Sequence, residues 1–213
     1  MSYRLVSLPD GGAAVAAQGI IEKDEGMRLL SFLQASGGGV PRTLILSSPG
    51  GNMAGALQLG VAVRRLGLRA SVARIAANSA GQPVLTSGLC GSACVFALMG
   101  GVGRTMTPGS KIGVHSPQVR VTAAGQTYAL DPVTSRRVVR STEPVLRAYA
   151  RHMGVDPSLI SVAHRVPHHG ARILSPSEIN RYGLVTGRTG RVSRTASTKR
   201  AARTKRAARD RAS

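Results

Sequence analysis

Short apolar runs alternate with amphipathic stretches along the first half of the chain. Residues 13–19 (AAVAAQG) read as a strand, and Glu22 to Gln34 (EKDEGMRLLSFLQ) as a helix with acid in its first turn. A glycine loop follows at Gly37, Gly38 and Gly39. Thr43 to Ser48 (TLILSS) is apolar enough for a buried parallel strand. Pro49-Gly50-Gly51-Asn52 leads into a helix from Met53 to Leu66, closed by Gly67. Leu68 to Ile75 (LRASVARI) is the next strand, and Ala77 to Cys90 a loop. Strand and helix in this rhythm predict an α/β fold with crossover connections.

The rhythm breaks at Ser87 to Pro117. A turn of small residues, Gly91-Ser92-Ala93, precedes an apolar helix from Cys94 to Met99. Glycines follow at 100, 101 and 103, then a short strand ending at His115. A serine on a tight turn before a buried helix exposes its oxygen. The helix start offers free N–H groups to a developing negative charge. The same three residues also fit a plain helix start, with Ser92 as the capping residue. Beyond His115, Val119 to Leu130 alternates around Gly125-Gln126 and predicts a hairpin. Three helices then open alike, on Asp131-Pro132, Asp156-Pro157 and Ser175-Pro176. The first runs to about Met153, and the last has a capping box, Ser175 with Glu178.

Composition narrows the partners. At 213 residues and 42% hydrophobic content, the chain supports one sizeable core. The net charge is +20, and residues 186–213 carry ten Arg or Lys against one Asp. That segment contains a perfect repeat, Thr198 to Arg203 and Thr204 to Arg209. With no apolar periodicity it reads as a disordered tail, able to contact nucleic acid or another polyanion non-specifically, or simply to aid solubility. No apolar run is long enough for a transmembrane helix. The first twenty residues lack the pattern of a signal peptide, which as written predicts a cytoplasmic protein. Cys90 and Cys94 flank Ser92; they fit buried thiols in a reducing compartment and a pair in an oxidising one.

The chemistry concentrates at three places. Ser47-Ser48-Pro49-Gly50-Gly51 ends a strand and precedes a helix, so its backbone can approach a ligand closely. Read alone, it is an ordinary strand-to-helix turn. About 40 residues later comes Ser92, and 23 residues after that His115. Together they form a nucleophile, a base and an oxyanion site. Lys111 fits a surface strand position better than a partner for Ser92. Pro167 interrupts any helical i, i+4 pairing of His164, His168 and His169, and no acid or Cys joins them as metal ligands would. His152 suits the end of a helix. No metal or cofactor is expected.

The segments SSPGGNMAGAL, GSACVFALMGG, PGSKIGVHSP and LSPSEINRYGLV resemble the motifs of the Clp protease proteolytic subunit and its relatives in the crotonase-like superfamily. Order and spacing agree over residues 13–185. The Cys-x-Ser-Ala-Cys form at Cys90 to Cys94 is similar to a branch of poorly characterised Clp-protease-like bacterial proteins, many of them predicted to be exported. The resemblance implies an α/β spiral of ββα units over residues 1–185, with a hairpin-plus-helix insertion at Val119 to Met153 and the disordered basic tail at 186–213. It implies a serine peptidase, with Ser92 as nucleophile, His115 as general base, and the N–H groups of Gly51 and Ala93 as oxyanion hole. Pro49, Gly50 and Gly51 would border a groove for an extended peptide or unfolded protein. It further implies a homo-oligomer, and allows a periplasmic location.

One position departs from the pattern. The family's aspartate stands three residues before the Leu-Ser that opens the last helix, where Leu174-Ser175 place Ala171. With nine acids in the chain, none is an obvious substitute, so His115 is left to a backbone carbonyl or to His168 or His169. Two other readings stay open. One is a catalytically degenerate peptide-binding or assembly protein, and the other is a crotonase-type acyl-CoA thioester enzyme.

Overall fold

The buried strand expected at 43–48 is the centre of the main sheet. In the computed structural model, which describes residues 1–8, 12–37, 39–123 and 125–187, five strands lie side by side. They are β1 (Ser2–Ser7), β2 (Ala13–Gln18), β3 (Thr43–Ser47), β4 (Arg69–Val72) and β8 (Arg104–Met106), in that order. β1 runs antiparallel to β2, and the other pairings are parallel. Parallel pairing requires crossovers, and α1 (Glu25–Ala35) and α2 (Met53–Arg65) supply two of them. Leu44, Ile45 and Leu46 are fully buried, as a strand covered on both faces must be. The basic repeat at 198–209 lies outside the described residues.

The predicted strand over 68–75 divides in two. β4 stops at Val72, and β5 (Arg74–Ala77) turns away to pair antiparallel with β6 (Pro83–Thr86). The loop expected at 77–90 therefore holds a hairpin and a further strand, β7 (Leu89–Gly91). β7 belongs to a second sheet, in the order β12 (Arg172–Ile173), β9 (Lys111–Val114), β7. β7 and β9 are parallel, and an isolated bridge from Ser48 to Cys90 joins this sheet to the end of β3.

The helices follow their expected caps closely. α3 (Cys94–Met99) is buried at every position. The expected hairpin forms as β10 (Arg120–Ala123) and β11 (Gln126–Ala129). α4 (Pro132–His152) starts where Asp131 accepts from the Val133 and Thr134 N–H groups. α5 (Ser158–Arg165) follows Asp156, whose carboxylate accepts from the Ser158 N–H at 2.8 Å. The capping box of Ser175 and Glu178 opens α6 (Pro176–Arg181). α2 and α3 pack backbone to backbone: a side chain on Gly100 would run into the Gly60 carbonyl. The abundance of Gly and Ala, with 26 glycines, reflects contacts of this kind.

Two arginines close the ends of three helices. Arg104, on β8 and only 3% exposed, donates from Nη1 to the carbonyls of Met99, Gly101 and Met153 at 3.0–3.2 Å. Its Nη2 donates to Gly154 and Gly183, at 3.2 and 2.8 Å. Arg64 donates to Gly100, Met99, Gly101 and Met153 from beside it. These carbonyls end α3, α4 and α6, where the helix dipole leaves negative charge unanswered. Burial, and then the neighbouring Arg64, pull the Arg104 pKa below its ordinary value. Replacing Arg104 by Met keeps most of the volume but leaves the Gly154 and Gly183 carbonyls without an arginine donor, and Met99, Gly101 and Met153 with Arg64 alone. It is expected to cost roughly 3–5 kcal/mol, read as a lower urea midpoint with an unchanged slope.

Candidate active site

β7 and β9 run in the same direction, so Ser92 and His115 leave the same edge of the second sheet. Parallel strands place ligand-binding residues at such carboxyl ends. Ser92 sits between β7 and α3 with φ +53°; among the described residues only Asp24 is another non-glycine at positive φ. That conformation costs an L-residue roughly 1–2 kcal/mol. Several bonds hold it. The Ser92 N–H donates to Gly113 at 2.8 Å, and the Gly91 N–H to Ser48 at 2.9 Å. The Ser48 N–H donates in turn to Leu89 at 2.7 Å.

The capping alternative for Ser92 does not hold. The residue preceding α3 is Ala93, itself in helical conformation, and no side chain caps the helix. The Ser92 hydroxyl therefore does not cap the helix, and only the residue's carbonyl joins the first turn, accepting from the Val95 N–H at 3.1 Å. Its side chain instead lines two cavities together with His115. The larger, about 830 Å³, is a groove bordered by Pro49, Gly51 and Asn52 on one side and by Val138 and Leu146 of α4 on the other. The smaller, about 20 Å³, is an apolar recess under Met53, Phe96 and Ile160.

The glycine loop is pressed against the serine turn. Gly50 has φ +117°, and a Cβ there would lie 2.7 Å from the Ser92 Cβ and 3.2 Å from the Ala93 nitrogen. Ser48, buried beneath, accepts the Gly50 N–H at 3.0 Å. Among the described residues, neither the Gly51 nor the Ala93 N–H donates to a protein acceptor. Ala93 is only 1% exposed, so its unanswered donor is of the kind that native proteins rarely leave buried. The two donors border the Ser92 turn, and Gly51 lines the groove.

His115 is half-buried just past β9. Its Nδ1 lies 2.8 Å from the Ser116 carbonyl oxygen. A carbonyl can only accept, so in the neutral ring Nδ1 carries the proton and Nε2 keeps its lone pair. β12 and β9 are antiparallel, with Arg172 opposite Val114. Continued by one residue, that register sets Ala171 opposite His115, a methyl group where the family pattern has a carboxylate. The expectation of a backbone carbonyl as the ring's partner is met. His168 and His169 are exposed and touch each other edge-on. Lys111 is exposed on β9, as expected of a surface position. His164 bonds Glu143 through Nδ1, and no group of three metal-ligating side chains occurs among the described residues.

Cys90 and Cys94 form a disulfide, so of the two readings of these cysteines the paired one applies. Cys90 belongs to β7 and Cys94 to α3, and both are fully buried. Ser92 is the middle residue of the five-residue ring that the bond closes. Sequence reasoning missed the part played by Ser48, and it expected a backbone carbonyl at His115 without naming Ser116. A serine two residues before a Gly-Gly pair was a faint signal for the first, and a carbonyl carries no signal at all.

An α/β spiral with this inserted hairpin and helix is the ClpP/crotonase-like fold. Solved structures share it at low identity. A serine-to-alanine mutant of the membrane-bound stomatin-specific protease 1510-N is 16% identical with a TM-score of 0.51, over 81% of this chain and 75% of that one. A lysine-to-alanine mutant of the same protease, in complex with a substrate peptide, gives 16% and 0.52 over 81% and 71%. A mutant ClpP1 from Listeria monocytogenes gives 17% and 0.53 over 81% and 88%. No protein-family model matches the sequence, and no curated protein is significantly similar to it.

Two stability measurements test this arrangement. Gly50→Ala forces a side chain into the serine turn at positive φ, and is expected to lose about 2–4 kcal/mol in urea unfolding. Under denaturing, non-reducing conditions the protein is expected to show no titratable thiol. Removing the bond by Cys90→Ala with Cys94→Ala should cost roughly 2 kcal/mol for so short a loop. Two free thiols in the untreated protein would contradict the bridge.

Proposed function

We propose that the chain is a serine peptidase of ClpP-like type, cutting peptide bonds at Ser92 with His115 as general base. The observation that carries this reading is the serine itself. It is held at positive φ by backbone bonds and a disulfide, does not cap its helix, and faces a groove beside unanswered N–H groups. In the first step Ser92 Oγ attacks the scissile carbonyl carbon while its proton passes to His115 Nε2. The oxygen that becomes negative accepts from the Gly51 and Ala93 N–H groups. His115 then gives the proton to the departing amine, leaving an acyl ester on Ser92. A water molecule, losing its proton to the same nitrogen, attacks the ester. The acid product departs as Ser92 regains its proton.

Among the described residues no hydrogen bond joins Ser92 to the ring, and such bonds commonly tighten only with substrate bound. The Ser116 carbonyl holds the productive tautomer but brings no charge to offset the imidazolium. Loss of a triad acid together with the tautomer costs about 10⁴ in kcat. Here the tautomer is kept, so a smaller loss follows, and turnover is slow rather than absent. The methyl of Ala171 opposite His115 favours a second reading, a peptide-binding or assembly protein that no longer cuts.

The disulfide supports an oxidising compartment such as a periplasm, since such bonds rarely persist in a reducing cytosol. No helix among the described residues is long and apolar enough to cross a membrane. Val121, Tyr128, Val133 and Val145, exposed on the hairpin and α4, support a homo-oligomer built through that insertion.

A fluorophosphonate probe tests the reading directly. Wild-type protein is expected to be labelled, and Ser92→Ala to lose the label while unfolding at the same urea concentration. Absence of labelling in folded wild-type protein would overturn the peptidase and leave the binding protein.

A further inference from the structure

A second cavity of about 650 Å³ lies next to the groove, and Pro117, Gln118 and Val139 line both. It begins at Ser116, whose carbonyl holds His115. Its charged lining is strongly one-sided. Arg136 and Arg140, one turn apart on α4, face it together with Arg165 at the end of α5. His164 and His168 line it too. The one carboxylate in the lining is Glu143.

Glu143 is already fully engaged. It accepts from Arg147 at 3.3 Å, from Ser161 at 3.0 Å and from His164 at 3.2 Å. The bond from Ser161, more than any other influence, holds its carboxyl below the ordinary glutamate range. Its charge is thus answered by Arg147, and its oxygens are taken up by Ser161 and His164 as well. Arg136, Arg140 and Arg165 have no ion-pair partner among the described residues. The three guanidinium groups are exposed, yet they border one concave site rather than spreading over a flat face. The guanidinium fork matches a carboxylate, and three of them bordering one cavity can meet it together.

We propose that this chamber is a carboxylate-binding subsite of the peptide groove, selecting peptides that carry an acidic side chain or a free C-terminus near the bond at Ser92. The proposal rests on the groove's being a peptide site, but not on any cutting there. The neighbouring groove favours a peptide over a phosphate polymer, because a peptide lying along it brings a carboxylate to Arg136 and Arg140 without leaving the Ser92 turn.

Binding by the full-length Ser92→Ala protein tests this without turnover. Fluorescein-labelled peptides of equal length would carry Glu, or Gln at the same positions, each with a free or an amidated C-terminus. The Glu peptide is expected to bind about tenfold more tightly than its Gln counterpart. If the terminal carboxylate is the ligand, the gain follows the free C-terminus instead. Either preference should vanish in Arg136→Gln with Arg140→Gln, and survive in Arg42→Gln with Arg65→Gln, two exposed arginines outside the chamber. Equal binding of all peptides would overturn the proposal, as would no binding. So would a preference lost equally in both double variants, or an oligonucleotide that binds through Arg136 and Arg140 while the peptides go undiscriminated. Fluorophosphonate labelling of wild-type protein decides the peptidase reading separately.

Discussion

The guanidinium of Arg104 is the point on which the helical layer converges. It is buried without a carboxylate, and its charge is met by the carbonyl ends of α3, α4 and α6. Each of those helices reaches the groove or its supports. α3 carries the serine turn at its other end, α4 forms the far wall, and α6 follows the short strand that pairs with β9. A single cation thus gathers three dipoles that would otherwise repel one another. Arg64 reinforces it from α2, so the helix that starts beside Gly51 is tied to the same centre.

At the other end of α3 the constraint is steric. The glycine loop and the serine turn approach so closely that no side chain fits at Gly50. The Ser48 to Cys90 bridge, the Ser48 hydroxyl and the disulfide hold the two turns in contact from beneath. The site is therefore made mostly of backbone, with few side chains that matter.

That composition explains what could be read in the sequence. Turns that require glycine, helix starts that require Asp or Ser, and a strand buried on both faces leave strong local signals. Thr43 to Ser48, Cys94 to Met99 and the Ser175 capping box were accordingly placed within a residue or so. Ser92 and His115 could be paired because a motif brackets each of them, and both line the same groove. Strands held by distant partners were not legible. β1 is an exposed edge with little apolar pattern, and the division at Val72 falls where Gly88 packs against the Ala73 backbone. The pairing of α4 with α5 through Glu143, Ser161 and His164 joins residues too far apart for any local pattern to show.

The orientation of His115 by the Ser116 carbonyl carries an evolutionary consequence. A carboxylate belongs to one codon, and one substitution removes it. A peptide carbonyl is present whichever amino acid occupies position 116, so no exchange of side chain deletes it. The ring's tautomer is thereby insulated from any exchange of the side chain at position 116.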